Sequence, residues 1–570
     1  MKITAITLGP IVDTFTLVEK PAGLWAASYT FSWLCREIIK NLCSEGVPVS
    51  EIVSPSVTCE KEKISFIGDK ATELNSLFEE GVGLFHDRIV IMGDCKDKAK
   101  TAIDNAVGLL SKNIAETIGS NVDEVKTWLT DFLRIPFAVF DLGEDFQKDK
   151  ENPLTKIGKL ISAMELEPSF PSSEKVNYML SLMRNISPEN SDNKESEDGA
   201  QNNAKSSSSE NANLWLYRKK LIGKNQKWIF DKPQKYSLEK IDQWFKWKPE
   251  DKRGKKYENY YAVIQSDGDS VGKLLEQLNN EDAKEFSWRA MSFAGASAEL
   301  VKEYGGLPIY AGGDDLLAIV PLFGKIEEGM SIFGLLEKIN EKFYEVFIKG
   351  FVKEKNLEET LERFPTLSFG ISVHYKKYPL YEALETARNL LDNDAKTEPK
   401  NALAFQLAKH SGQTHKFVLY GISKANGYSM SKELKILDKM ILAEEANGSD
   451  TSKRLSSLAH LVENNRALFI AAFNDSDNKQ ERVGKLINNL LDNAGQREEK
   501  TKTHRTDFAD LAKAVAVNGD YGDADKRLNF LLSAMRIQQF MFEETSGEEK
   551  GDSGNNARTS NVSAGKEERK

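Results

Sequence analysis

Ile309-Tyr310-Ala311-Gly312-Gly313-Asp314-Asp315-Leu316-Leu317-Ala318-Ile319-Val320 sets two glycines and two aspartates between apolar, β-prone runs. The pattern predicts a β-hairpin with its acids at the turn, glycine supplying the positive φ of a tight connection. Adjacent carboxylates repel, and proteins keep such pairs chiefly where a cation lies between them and a substrate. An acidic hairpin turn without any ligand would carry the same residues.

A second stretch, Tyr260-Tyr261-Ala262-Val263-Ile264-Gln265-Ser266-Asp267-Gly268-Asp269-Ser270-Val271-Gly272-Lys273-Leu274-Leu275, runs an apolar strand into Asp-Gly-Asp and then into a helix. Asp267 is expected at the strand's end, with the backbone amides of 268 to 272 facing outward at a helix N-terminus, where phosphate oxygens are received. Capping of that helix by Asp269 or Ser270 is the plainer alternative. The two stretches together say more. A strand ending in Asp267, a helix over Trp288–Tyr304 and then the acidic hairpin give β-α-β-β order, with acids from neighbouring strands meeting at one end. Such carboxylates beside an anion-receiving helix start make a site for two divalent ions and a nucleoside triphosphate.

The surrounding chain is large enough to build this. Its 570 residues exceed what one core supports and imply three or four domains. Lys and Arg number 77 against 87 Asp and Glu, a net charge of −10, which does not describe a free-standing nucleic-acid binder. No apolar run reaches the roughly 18 residues of a membrane span, and Met1 to Ile6 reads as a strand without a signal-peptide cleavage pattern. A soluble, cytoplasmic protein is expected. Cys35, Cys43, Cys59 and Cys95 form no Cys-x-x-Cys pair, so they read as buried thiols, not as a zinc site or a disulfide framework. His86-Asp87 is half of a phosphohydrolase-like metal signature without upstream histidines, and reads as structural.

Residues 1–160 alternate strands at Ile3–Leu8, Ile64–Ile67, Arg88–Met92 and Phe137–Phe140 with helices at 24–41 and Asp97–Ile118, an α+β pattern. Residues 161–250 read as a helical connector in which 188–213, rich in Ser, Asn, Glu and Gly, is expected to be disordered. Residues 251–420 hold both acidic motifs. Helical spacing of apolar residues in Leu434–Leu442, Leu455–Phe469, Val483–Leu491, Phe508–Val515 and Leu528–Phe542 predicts a helical bundle over 421–544, followed by a disordered tail at 545–570.

The arrangement resembles the palm shared by nucleotidyl cyclases, GGDEF diguanylate cyclases and many polymerases. It is most similar to the large palm-polymerase subunit of type III-B (Cmr) CRISPR–Cas effector complexes. Four stretches carry the resemblance: Gly9-Pro10 with Leu24-Trp25-Ala26-Ala27-Ser28-Tyr29; Asp267-Gly268-Asp269 with Gly272-Lys273-Leu274-Leu275; Gly312-Gly313-Asp314-Asp315; and Leu367-Ser368-Phe369-Gly370 with Ala387, Ala395-Lys396 and Lys400-Asn401. The resemblance implies an α+β fold of two palm (ferredoxin-like, nucleotidyl-cyclase-like) domains, a helical connector and a C-terminal helical bundle. Residues 1–160 would be a degenerate first palm and 251–420 the catalytic second one.

It further implies Asp267 and Asp314 as metal ligands for two Mg2+ or Mn2+ ions, with the Gly268 carbonyl as a further ligand and Asp315 assisting the second metal or taking the attacking hydroxyl's proton. Gly268, Asp269, Ser270, Gly312, Gly313, Lys396 and Lys400 would meet the nucleotide, ATP. A solvated helix-end cation is the alternative for Lys396. Ser368 and Gly370 are expected to let their strand pack tightly behind the site. The implied product is cyclic oligoadenylate or AMP joined to S-adenosylmethionine, with Asp69 and Glu151 as candidate acids for the second substrate. The implied partners are the backbone, small helical and crRNA-end-binding subunits, with crRNA and target RNA reached through the complex, in antiviral defence and without a membrane. A stand-alone GGDEF-like cyclase and a non-catalytic effector scaffold are the alternatives.

Two features depart from the family pattern. The chain opens directly on palm-like sequence, so an HD-type DNase is not expected, and no cysteine-rich zinc module lies between the palms. The first palm has no Gly-Gly-Asp-Asp. Its strand near Leu84–Asp94 offers no paired metal acids.

Overall fold

The computed structural model describes residues 1–16, 21–60, 63–68, 70–143, 152–166, 177–179, 238, 241, 255–324, 330–424, 429–442, 448–475, 477–493 and 502–543. The segments 188–213 and 545–570, and the candidate acids Asp69 and Glu151, lie outside the described residues. Among the described residues no helix is long and apolar enough to cross a membrane.

The N-terminal half builds β1 (Lys2–Thr7), α1 (Pro21–Ser44), β2 (Ile52–Ser54), β3 (Arg88–Met92), α2 (Lys96–Ile118) and β4 (Phe137–Asp141). The strands pair antiparallel in the order β2-β3-β1-β4, which is the β-α-β-β-α-β arrangement of ferredoxin-like sheets. Ile64 to Phe66, expected as a strand of this sheet, pairs instead with Val57–Glu60 in a separate hairpin. The sheet's second strand is Ile52–Ser54, too short to show an alternation in sequence. Helix α1 starts on a proline, which suits a first turn that has no partner for its N–H. Leu24, Trp25, Tyr29 and Trp33 of α1 are all buried, because the helix packs against α2 and against the second sheet.

That second sheet contains β5 (Tyr260–Asp269), β6 (Leu307–Gly312), β7 (Asp315–Pro321), β8 (Thr366–Tyr375), β9 (Ala402–Ala408) and β10 (Thr414–Tyr420). Helix α3 (Asn280–Tyr304) joins β5 to β6. Helix α4 (Ile332–Phe343), absent from the expected elements, precedes β8, and α5 (Leu380–Leu390) joins β8 to β9. The order is β10-β9-β8-β5-β7-β6. Its first four strands in sequence, β5, β6, β7 and β8, repeat the topology of β1, β2, β3 and β4. Strand β8 is buried over nine consecutive residues. Neighbouring side chains point to opposite faces, so the sheet is covered on both sides there. Gly370 lies at this contact: a Cβ on it would stand 2.3 Å from the Ala387 carbonyl of α5.

The two halves meet along the edge strand β6 and helix α3. Ala311 N–H donates to Gly83 O at 3.0 Å, and Ser56 N–H donates to Ser287 Oγ at 3.0 Å. Trp288 packs where a Cβ on Gly68 would lie, 2.5 Å from the indole. Six C-terminal helices run from Lys432 to Phe542 among the described residues, with the expected run Leu455–Phe469 divided at Asn465. The last of them, Ala524–Phe542, packs on the second sheet through Phe530 against Phe417 and Phe540 against Tyr260, ring centroids 5.1 and 4.7 Å apart.

Candidate active site

The hairpin forms as its residues predict, with one refinement. Gly312 pairs with Asp315, leaving Gly313 and Asp314 as a two-residue turn. Only Gly313 has positive φ, +66°, the first central position where a II′-type turn calls for glycine. Gly312 has a different reason to be glycine: the Tyr310 ring lies over it, the hydroxyl 2.1 Å from where a Cβ would be.

Strand β5 does not stop at Asp267. It continues to Asp269, paired with β8 through Ser368 opposite Asp267 and Thr366 opposite Asp269. Alternation therefore sends Asp267 and Asp269 to the same face, where both meet Lys396. The Lys396 ammonium lies 2.6 Å from Asp267 Oδ2, 3.3 Å from Asp269 Oδ1 and donates to the Gly268 carbonyl at 2.7 Å. Burial pulls that ammonium's pKa down, but Asp267 and Asp269 outweigh it and hold the lysine above its ordinary value.

The helix-cap reading of Asp269 is overturned. Its side chain is fully buried, and Oδ2 accepts from Ser368 Oγ at 2.6 Å, Thr366 Oγ1 at 2.9 Å and Asn401 N–H at 3.0 Å. Ser270 occupies the cap position with φ +59° and makes no side-chain cap bond. Nor do all the amides of 268 to 272 face open solvent, because the Asp314 carboxylate lies against Gly268. The helix that follows, Val271–Gln277, is only seven residues long.

Asp314 and Asp315 complete the site across β5. A Cβ on Gly268 would lie 2.3 Å from Asp314 Oδ2, so this glycine is what allows the carboxylate to approach. Poor solvation and the charge of Asp267 push Asp314 up to about 6. Asp315 is pushed well above the usual range, first by desolvation and then by Asp314 and Asp267, with which it shares a hydrogen bond. Three carboxylates and a backbone carbonyl are hard oxygen donors, the set that Mg2+ or Mn2+ takes. Carboxylates this reluctant to ionise are stabilised by a bound cation. The residues thus fit divalent ions, although among the described residues no three acidic, imidazole or thiol groups close around one point.

Lys396 follows α5 directly after a π-type turn, Leu391–Ala395. Lys400 stands with Asn401 in a left-handed turn, φ +62° and +50°, and its charge acts on Glu398. It is not brought into the acid cluster's ion pairs.

Sequence reasoning missed the groups on the first sheet. Leu8 N–H donates to Asp87 O at 2.8 Å, so Leu8 and Asp87 hold the places that Asp267 and Asp315 hold in the second sheet. A cleft of about 550 Å3 opens at this end, lined by Asp13, Asp87, Asp131, Arg134 and Glu165 among others. Arg88 grips Glu165 through two 2.8 Å bonds, and both Asp87 and Asp315 support its charge. The Tyr310 hydroxyl is pushed up by burial and by Asp87, Asp315 and Asp314. Arg88 and Tyr310 therefore lie between the two sheet ends. The signal was in the sequence, since His86-Asp87 leads into β3 as Asp314-Asp315 leads into β7.

Residues 260–404 match the family described as Cas10/Cmr2, second palm domain. The CRISPR system Cmr subunit Cmr2 of Pyrococcus furiosus is 34% identical over 181 residues, 27% of this chain and 19% of that protein's length. A type III-B Cmr-beta cryo-EM structure in the apo state aligns with TM-score 0.50 at 12% identity, covering 87% of this chain and 78% of that one. A Csm1–Csm4 cassette crystal structure in complex with cA4 aligns with TM-score 0.48 at 12% identity, covering 94% and 70%. The sheet order, the acids at the strand ends and the match over 260–404 agree that residues 260–404 are a palm domain of the Cas10/Cmr2 second-palm family.

Proposed function

We propose that this chain is the catalytic large subunit of an RNA-targeting type III effector and uses ATP to make a nucleotide second messenger when the complex binds target RNA. One observation carries the reading: Asp267, Asp314, Asp315 and Lys396 converge at one end of adjacent strands in a second palm. Asp267, Asp314 and the Gly268 carbonyl would hold the divalent ions, which when bound supply charge stabilisation at the α-phosphate and acidify the attacking hydroxyl. Asp315, whose proton affinity is raised, takes the proton of that hydroxyl. Lys396 meets the triphosphate, and pyrophosphate leaves. The topology repeat supports residues 1–160 as a first palm that brings the acceptor to this site. The partners of the reading are backbone, small helical and crRNA-end-binding subunits, with crRNA and target RNA.

The acceptor is either a second ATP, leading to cyclic oligoadenylate, or S-adenosylmethionine. The acid-lined cleft beside Arg88 favours the second, since a sulfonium and an ammonium call for carboxylates. The test is the reconstituted, RNA-bound complex with labelled ATP, with and without S-adenosylmethionine, product identified by mass. Asp314→Ala with Asp315→Ala abolishes product; unchanged product overturns the catalytic reading. Cyclic adenylates formed without the second substrate reject the conjugate.

A further inference from the structure

We infer that Lys396 is a resident counter-ion which holds the first metal's ligands until a triphosphate draws it away, making metal and nucleotide binding synergistic. The inference rests on the proposed function and concerns how the site is loaded. Its basis is the identity of what Lys396 touches. The ammonium bonds Asp267 Oδ2 at 2.6 Å and the Gly268 carbonyl at 2.7 Å, the two groups that a divalent ion would take. A cation on those oxygens and the ammonium repel one another, so each weakens the other's hold on them.

Asp269 tethers this lysine. Its Oδ1 meets the ammonium at 3.3 Å and no other donor among the described residues, while Oδ2 is fixed by Ser368, Thr366 and Asn401. A lysine released from Asp267 keeps Asp269 as its counter-charge and stays at the site. A triphosphate entering beside it supplies new anionic oxygens, and the metal takes those that Lys396 leaves. No group changes its covalent bonds.

The test measures Mn2+ binding to the full-length protein by calorimetry and by paramagnetic resonance, without nucleotide and with a non-hydrolysable ATP analogue. With the charge-assisted bonds to Asp267 and the Gly268 carbonyl removed, Lys396→Met should tighten nucleotide-free Mn2+ binding by roughly tenfold or more. The enhancement by the analogue should shrink by the same factor. Equal or weaker Mn2+ binding by Lys396→Met overturns the inference. A wild-type measurement guards against a variant that fails to fold: saturating Mn2+ alone should raise the rate at which an amine-acylating reagent labels Lys396, read by mass spectrometry, and an unchanged rate also overturns it. Asp267→Ala separates the two readings. If it abolishes Mn2+ binding while Lys396→Met changes nothing, this inference fails and the metal site stands. If wild-type protein binds no Mn2+ with or without the analogue, the proposed function fails with it.

Discussion

Replacing Asp269 with alanine distinguishes two accounts of this residue by magnitude. As a helix cap it would contribute about 1 kcal/mol. In the structure its fully buried carboxylate joins two strands to the segment between α5 and β9: it belongs to β5, accepts from Thr366 and Ser368 on β8 and from Asn401 before β9, and faces Lys396. Alanine leaves those donors facing a void and removes one of the lysine's two carboxylates. Breaking a buried charged pair from one side costs roughly 3–5 kcal/mol. For a unit of 150–250 residues each kcal/mol moves the melting midpoint by about 2–4 °C, so the expected fall is about 6–20 °C, against about 2–4 °C for a cap. Differential scanning calorimetry gives the midpoint, and hydrogen exchange of 366–375 and 402–408 shows whether the loss is local to β8 and β9. Asp269→Asn keeps one acceptor oxygen for Ser368 and should lose less. A midpoint for Asp269→Ala within about 4 °C of wild type, with exchange unchanged in those strands, would refute the network account.

Gly370→Ala should prevent correct packing of α5 on β8, since its methyl would stand 2.3 Å from a backbone oxygen that cannot move alone; the expected outcome is insoluble protein or a loss of about 2–4 kcal/mol, read by yield and melting. Gly268→Ala places its methyl 2.3 Å from Asp314 Oδ2, an atom on a side chain that can swing, so nucleotide turnover should fall at least about tenfold while circular dichroism stays native. His86 is held down to about 4 by burial and by Arg88. Its folded pKa lies below the unfolded value, so the folded state binds fewer protons and stability falls as pH drops from 6.5 through about 4. Relative to His86→Gln, wild type should lose up to about 3 kcal/mol across that window and nothing above pH 7, as measured by denaturant titration at each pH.

What the sequence made legible followed from distance along the chain. The hairpin at 307–321 was readable because its turn chemistry and apolar flanks are contiguous, and β3 and α2 because their periodicity is complete within a few residues. Asp269 was misread because its environment comes from Thr366 and Ser368, about a hundred positions away; nothing local says that β5 runs two residues past Asp267. The three-residue β2 carries no pattern of its own, whereas Ile64 to Phe66 carries a convincing one and spends it on a local hairpin. Lys396 entered through resemblance alone. Its ion pairs with Asp267 and Asp269 depend on a π-type turn at Leu391–Ala395 that sequence does not announce.

The repeated topology narrows the chemical difference between the two sheets to a few positions. In the second sheet, Asp267 stands across from Asp315, and two carboxylates on neighbouring strands can share a cation. In the first, Leu8 stands across from Asp87, and a leucine cannot. Burial accordingly pushes Asp87 up, with Arg88 the nearest offset. Each sheet end thus holds a cation of the chain's own, but they are held differently. Arg88 is fixed by two bonds to Glu165, itself bonded by Thr7 at 2.9 Å, and a bidentate guanidinium is not readily displaced. Lys396 is a single ammonium on a flexible stem, sharing oxygens that a divalent ion would bind more strongly. The fold thus carries one cation held by a bidentate carboxylate and one held by single contacts to Asp267, Asp269 and the Gly268 carbonyl. Under the proposed function, that asymmetry would place the reacting phosphate at the second sheet and the acceptor at the first.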